Sequence, residues 1–180
     1  MSTNSDLEPA VDPLELRALL DKQAITEVLY RFSRAVDRED LDLMRTIFHE
    51  DATDDHGVFI GSATDFVEYV QRGWASGILA GSNHVVTNVL IDLDGDVAHV
   101  ESYFFAHHTW KGRHVMLDDL LGGRYLDRFE RRDGVWRIAA RRCVWDWGRS
   151  DPSTEDSWTH RLRGDYTFGV RGPDDPSYER

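Results

Sequence analysis

Ser82-Asn83-His84-Val85-Val86-Thr87-Asn88-Val89-Leu90-Ile91-Asp92-Leu93-Asp94-Gly95-Asp96-Val97 is where the chain changes its period. Before it, apolar residues recur at helical spacing; from here on they alternate, as the two faces of a strand require. Asp94-Gly95-Asp96 reads as a tight hairpin turn, and the pattern then repeats. Four β-rich runs, at about 82–92, 97–109, 114–131 and 135–147, are joined by that turn, by Lys111-Gly112-Arg113 and by Asp133-Gly134. Three consecutive tight turns predict an antiparallel meander.

The preceding segment is helical. From Leu14 the spacing fits a helix, and Asp21 is placed to cap a second one by accepting backbone N–H bonds. Ile25, Val28, Leu29, Phe32 and Val36 then form one apolar stripe, and Asp37 falls where the stripe ends. Asp40 is placed to cap a short helix with Leu41, Met44, Ile47 and Phe48 inside, and Thr64 to start another through Phe66, Val67, Val70 and Trp74, stopped near Gly77. Helices first and a meander afterwards predict an α+β domain with the helices on one face of the sheet. That domain is expected over residues 14–149, after a mobile tail at 1–13. Residues 150–180 lose the alternation but carry Trp158, Tyr166, Phe168 and Tyr178, so an extension packed on the domain or on a partner subunit is expected.

The composition of this 180-residue chain, 41% hydrophobic and 11% aromatic, is that of a folded domain. The net charge is −12, concentrated at residues 1–68, where 16 acids face 6 bases. Nucleic-acid binding needs the reverse, a basic patch that releases phosphate counterions, and anionic membranes are disfavoured for the same reason. No apolar run approaches the roughly 18 residues of a membrane span. Residues 1–13 lack the basic and apolar regions of a signal peptide, and the single Cys143 leaves no internal disulfide, so a cytoplasmic location is expected.

Asp37 and His84 carry the candidate chemistry. On its strand His84 shares a face with Val86, Asn88 and Leu90; if that face meets the helices, His84 sits near the end of the apolar stripe. A carboxylate on one ring nitrogen fixes the imidazole tautomer and leaves the other nitrogen as a base; a hydrogen-bonded structural histidine has the same signature. Arg141 and Arg142 lie on opposite faces of the last run, where an arginine either stabilises an anion in a pocket or pairs on the surface. Trp74, Tyr103, Phe105 and Trp110 are candidates for an apolar cavity or for core. Asp54-Asp55-His56 and His107-His108 resemble metal ligands by composition, but neighbours on a strand point to opposite faces, and no metal or other cofactor is expected. The outer sheet face has Val85, Val89, Ile91 or Phe104 available, depending on phase, and predicts a homodimer or homotrimer.

Taken together, Ile25–Asp37, Phe48-His49-Glu50-Asp51-Ala52, Asn83-His84-Val85-Val86-Thr87-Asn88, Gly134-Val135-Trp136-Arg137-Ile138 and Asp146-Trp147 resemble the SnoaL-like branch of the nuclear transport factor two-like (cystatin-like) superfamily, over residues 14–149. The resemblance implies a cone, a strongly curved antiparallel sheet wrapped over helices around a deep pocket. The superfamily includes scytalone dehydratase, hexachlorocyclohexane dehydrochlorinase, bile-acid dehydratase, ketosteroid isomerase, polyketide cyclases, noncatalytic pocket proteins and dioxygenase β subunits. The histidine–aspartate dyad of its dehydratases and dehydrochlorinases maps onto His84 and Asp37, and their pocket arginine onto Arg141. Phe32 stands where those enzymes carry tyrosine or lysine, a departure that removes a leaving-group donor and keeps the base. The implied function is a cofactor-independent lyase or isomerase acting on an apolar, cyclic small molecule in a pocket of Phe32, Tyr30, Trp74, Asn88, Tyr103, Phe105 and Trp145. The alternative is a noncatalytic binding protein or a scaffold subunit of an oxygenase.

Overall fold

The computed structural model describes residues 11–153 and 166–179. The first ten residues of the expected tail, and Trp158 of the extension, lie outside them.

One continuous helix, α1 (Pro13–Arg38), opens the domain, with Asp12 accepting the Leu14 N–H and Pro13 in the first turn. Asp21 therefore caps nothing. It is buried in mid-helix, where its carboxylate accepts from Trp136 Nε1 at 2.9 Å and from Arg131 at 3.0 Å. Arg131 also binds Asp96, so one buried acid ties α1 to two hairpin ends. A local capping signal cannot be distinguished in sequence from an acid whose partners lie more than a hundred residues away.

Glu39, in the left-handed region at φ 56°, ends α1, and Asp40 caps the short α2 (Leu41–Arg45) through the Leu43 N–H. Phe48 is not helical but begins β1 (Phe48–Asp55), which pairs antiparallel with β2 (Ile60–Ser62). These two strands had no clear alternation to announce them. Ser62, not Thr64, caps α3 (Ala63–Ala75), and Gly77 follows its end at φ +62°.

The meander is β3 (Leu79–Asp94), β4 (Val97–Lys111), β5 (Met116–Arg132) and β6 (Val135–Pro152), all antiparallel. Asp133 and Gly134 both have positive φ, as the two-residue turn between β5 and β6 requires. The full sheet has the order β2-β1-β6-β5-β4-β3, and β1 runs parallel to β6. It is thus a mixed, curled, open sheet in an α+β domain, with α1 in its hollow. The core joins Ile25, Val28, Leu29 and Phe32 to Met44, Phe66, Phe104, Phe129 and Ile138.

Bulges reset the faces, and two of them bear on the candidate residues. Pairing slips between Thr87 and Leu90, where Asn88 adopts φ +49°, a conformation asparagine tolerates better than most residues. Inward residues are His84 and Val86 before it, Val89 and Ile91 after it. On β6 the first slip lies at Ala139, so Trp136 and Ile138 point in before it and Arg141 and Cys143 after it; a second falls between Trp145 and Trp147. Strict alternation is wrong on one side of each. Of the residues proposed for the outer face, Val85 is there, whereas Phe104 is core and Val89 and Ile91 pack against it.

Residues 166–179 lie against the end of α1. Asp175 pairs with Arg38, Arg171 with Glu39, and the Tyr178 hydroxyl donates to Asp40 at 2.9 Å. Arg34 sits over the Tyr178 ring and donates to Ser177.

Candidate active site

Asp37 occupies the last turn of α1, and β3 brings His84 beneath it. His84 Nδ1 donates to Asp37 Oδ1 at 2.7 Å, and the His84 main-chain N–H donates to Oδ2 at 2.8 Å. Both carboxylate oxygens are used, and both side chains are more than nine-tenths buried. The carboxylate only accepts, so Nδ1 carries the hydrogen and Nε2 is left as the basic nitrogen.

That nitrogen faces a cavity of about 650 Å³ beside the core, bounded by Phe32, Phe66, Trp74, Tyr125, Trp145 and others. A larger hollow of about 850 Å³ runs along Leu90, Glu101, Leu126 and Arg142, but neither Asp37 nor His84 reaches it. The inner cavity is therefore the candidate site.

His108 reaches the same cavity from β4, with its Nε2 at 3.3 Å from His84 Nε2. Since His84 Nε2 holds a lone pair, the hydrogen in this contact belongs to His108. Burial, reinforced by His84, pushes the His108 imidazolium down to about 4, so this ring is neutral at pH 7. Its Nδ1 and the Trp110 Nε1–H are buried without a protein partner. Tyr125, stacked on Phe104 at 4.6 Å, also lines the cavity; burial drives its phenol well above the ordinary tyrosine range and keeps the O–H intact.

Arg141 is placed differently from the expectation. Its side chain is fully buried and donates to both oxygens of Asp127, at 2.8 and 2.7 Å, with the guanidinium over the rings of Phe32 (4.2 Å) and Tyr125 (4.1 Å). It stands behind the aromatic wall and does not line the cavity. Asp127 faces it across the β5–β6 ladder, and two buried opposite charges pair rather than leave one exposed to a pocket.

Of the other expected pocket residues, Phe32, Trp74 and Trp145 do line the cavity. Tyr30 is exposed on α1, since it lies a different way round the helix from the apolar stripe. Tyr103 and Phe105 are exposed on the outer face, because β4 turns Ser102, Phe104, Ala106 and His108 inward and the odd positions outward. Asn88 is exposed by the β3 bulge. None of these four belongs to the pocket.

Sequence reasoning missed three wall residues of consequence: His108, Tyr125 and His56. Counting back from the hairpin about Gly95-Asp96 is the available signal for His108, but it puts His84 opposite His107, and only the bulge at Asn88 moves His84 to Ala106, one same-face step from His108. No such signal exists for His56, whose strand β1 is placed by a parallel pairing to β6. Among the described residues, no three His, Cys, Asp or Glu side chains gather as a metal site.

Residues 17–142 match the model of the SnoaL-like domain. No curated protein sequence matches the chain significantly. Among solved structures, hexachlorocyclohexane dehydrochlorinase (LinA) Type2 superimposes with a TM-score of 0.70 at 16% identity, covering 77% of this chain and 94% of its own. A scytalone dehydratase-like protein of Novosphingobium aromaticivorans gives 0.65 at 19%, covering 87% and 95%. The β subunit of an aromatic-ring-hydroxylating dioxygenase-like protein from the same organism gives 0.60 at 19%, covering 73% and 92%. At such identities these similarities concern the fold. No helix among the described residues is long and apolar enough to cross a membrane.

Proposed function

This chain belongs to the SnoaL-like domain family, and on that premise we propose that it is a cofactor-independent lyase or isomerase abstracting a proton from carbon of an apolar, cyclic small molecule. The observation that carries the reading is the two-point hold of Asp37 on His84, which aims one basic nitrogen into a half-open, largely apolar cavity. His84 Nε2 takes a proton from a carbon next to an activating group, and Asp37 stabilises the imidazolium that forms. In elimination the C–H electron pair becomes the new double bond, and the leaving group takes back the proton held by the His84 imidazolium, as when water leaves an alcohol, so that His84 ends neutral. In isomerisation His84 returns the proton to another carbon. Negative charge on the substrate is met by the neutral donors at the wall, Trp110 Nε1–H and Tyr125 O–H, rather than by Arg141, which is committed to Asp127. Phe32 supplies no donor, so the preorganised wall must contribute what a polar helper would.

The test is deuterium uptake at carbon in heavy water, read by mass spectrometry across cyclic ketones, hydroxy-ketones, hydroxylated steroid-type acids and halogenated rings. Exchange or elimination that vanishes in His84→Gln supports the reading, and turnover unchanged in that variant rejects it.

A second reading, a noncatalytic scaffold subunit, is favoured by the similarity to the dioxygenase β subunit and by the apolar outer face. Val85, Leu90, Phe105, Leu126 and Trp147 are exposed there across four strands. Under the leading reading that face joins like chains into a homodimer or homotrimer. Native mass of the complex in lysate separates them: a multiple of this chain favours the enzyme, and a stable complex with an unlike chain favours the scaffold.

A further inference from the structure

Asp54 and His56 form a second carboxylate–imidazole pair that the mechanism above does not use. Asp54, on β1, is 1% exposed, and its Oδ1 accepts from His56 Nδ1 at the turn leading to β2. The His56 ring stacks on Phe66 at 4.5 Å and lines the cavity that His84 and His108 line. Its backbone is held on both sides, by its own N–H to Phe59 O and by Trp145 Nε1 on its carbonyl oxygen. The turn is thus held in place, and the ring is fixed on Phe66.

Burying a carboxylate costs several kcal/mol in desolvation before its partners compensate. The other deeply buried acids repay this by joining distant parts of the chain: Asp21 ties α1 to β5 and β6, and Asp127 holds Arg141 across a ladder. Asp54 and His56 are two residues apart and tie nothing distant together. The pair does orient a ring whose Nδ1 is occupied and whose Nε2 has no hydrogen-bond partner among the described residues. It shares with His84 the carboxylate on Nδ1, but its Nε2 has no second histidine beside it and its carboxylate keeps one buried oxygen, Asp54 Oδ2, without a partner.

We propose that His56, oriented by Asp54, is a second polar anchor of the cavity, and that the occupant carries two oxygen functions on an apolar ring body, one met by His84 and His108 and one by His56 Nε2. Phe66, Tyr69 and Trp145 pack on the body between them. The first anchor rests on the function proposed above; the second does not require that chemistry takes place.

Isothermal titration with pairs of probes differing by one hydroxyl tests this at two spans: 2-naphthol against 2,7-naphthalenediol, and 4-phenylphenol against biphenyl-4,4′-diol. Wild-type protein should bind at least one diol fivefold or more tighter than its mono-ol. In His56→Phe, and in the shorter His56→Asn, that ratio should fall below twofold, with circular dichroism melting used to select the variant that is folded. The proposal is overturned if neither span shows the gain in wild type, or if the gain survives in a folded His56 variant. Loss of His84-dependent exchange bears on the proposed reaction alone, so the two ideas fail separately.

Discussion

Asp127–Arg141 and Asp37–His84 are both buried acid–base pairs, yet they do opposite things. The first is closed: two parallel hydrogen bonds, no exposed side-chain surface, and aromatic rings over the guanidinium. The second faces the cavity at one atom: the carboxylate takes the ring Nδ1–H and the main-chain N–H of His84 and leaves Nε2 on the cavity side, beside the neutral His108 ring. A buried charge held by two hydrogen bonds to one carboxylate, on the far side of the aromatic wall from the inner cavity, is structural, whatever its chemical potential for catalysis. The proposed chemistry belongs to the pair that turns a basic atom toward the inner cavity.

The comparison is broken most directly by exchanging the consequences. His84→Gln should lower deuterium exchange by about 10²–10⁴-fold, the usual span of general-base catalysis, while the urea midpoint changes little. Asp127→Asn should do the converse. It strands a buried guanidinium and should cost about 3–5 kcal/mol in urea denaturation, with the cavity chemistry kept in whatever remains folded. The double replacement Asp127→Leu with Arg141→Met should recover most of that stability, as a closed pair with no function permits. If the double variant stays stable but loses exchange, Arg141 acts on the cavity through the Phe32 and Tyr125 rings and the contrast fails.

A smaller effect sharpens the open side. His108 titrates near 4 in the folded protein and near 6.5 when unfolded. Between those values the unfolded chain binds the extra proton, so stability falls as pH drops from 6.5 toward 4. Lowering the pH from 7 to 5 should therefore cost about 1–2 kcal/mol more in wild type than in His108→Asn, measured by urea midpoints at both values. The smallest expected change is Trp136→Phe, which removes one donor from Asp21 but leaves Arg131 in place. It should cost about 1 kcal/mol and leave exchange untouched.

Glycine marks a different limit of the sheet. A Cβ on Gly123 would fall 2.1 Å from the Val144 carbonyl oxygen and 2.8 Å from the Phe104 ring, where β5 and β6 shift register beside the cavity wall. Its neighbours in sequence do not show this, since the approach it permits involves backbone on another strand.

Local periodicity by itself determined the helix stripe, the change of period after Gly81, three of the hairpin turns and the α+β class, because each depends on residues within a few positions of one another. It also placed Asp37 at the end of the stripe and His84 on the strand that reaches it. Only the tertiary structure decided the rest. The bulges at Asn88 and Ala139 invert the faces beyond them, which removed Asn88 from the pocket and turned Arg141 into the core. The parallel pairing of β1 with β6 put His56 on the cavity wall. And whether a buried acid staples the fold or arms a base depends on what lies across the ladder from it, a fact of pairing that no neighbour in sequence records.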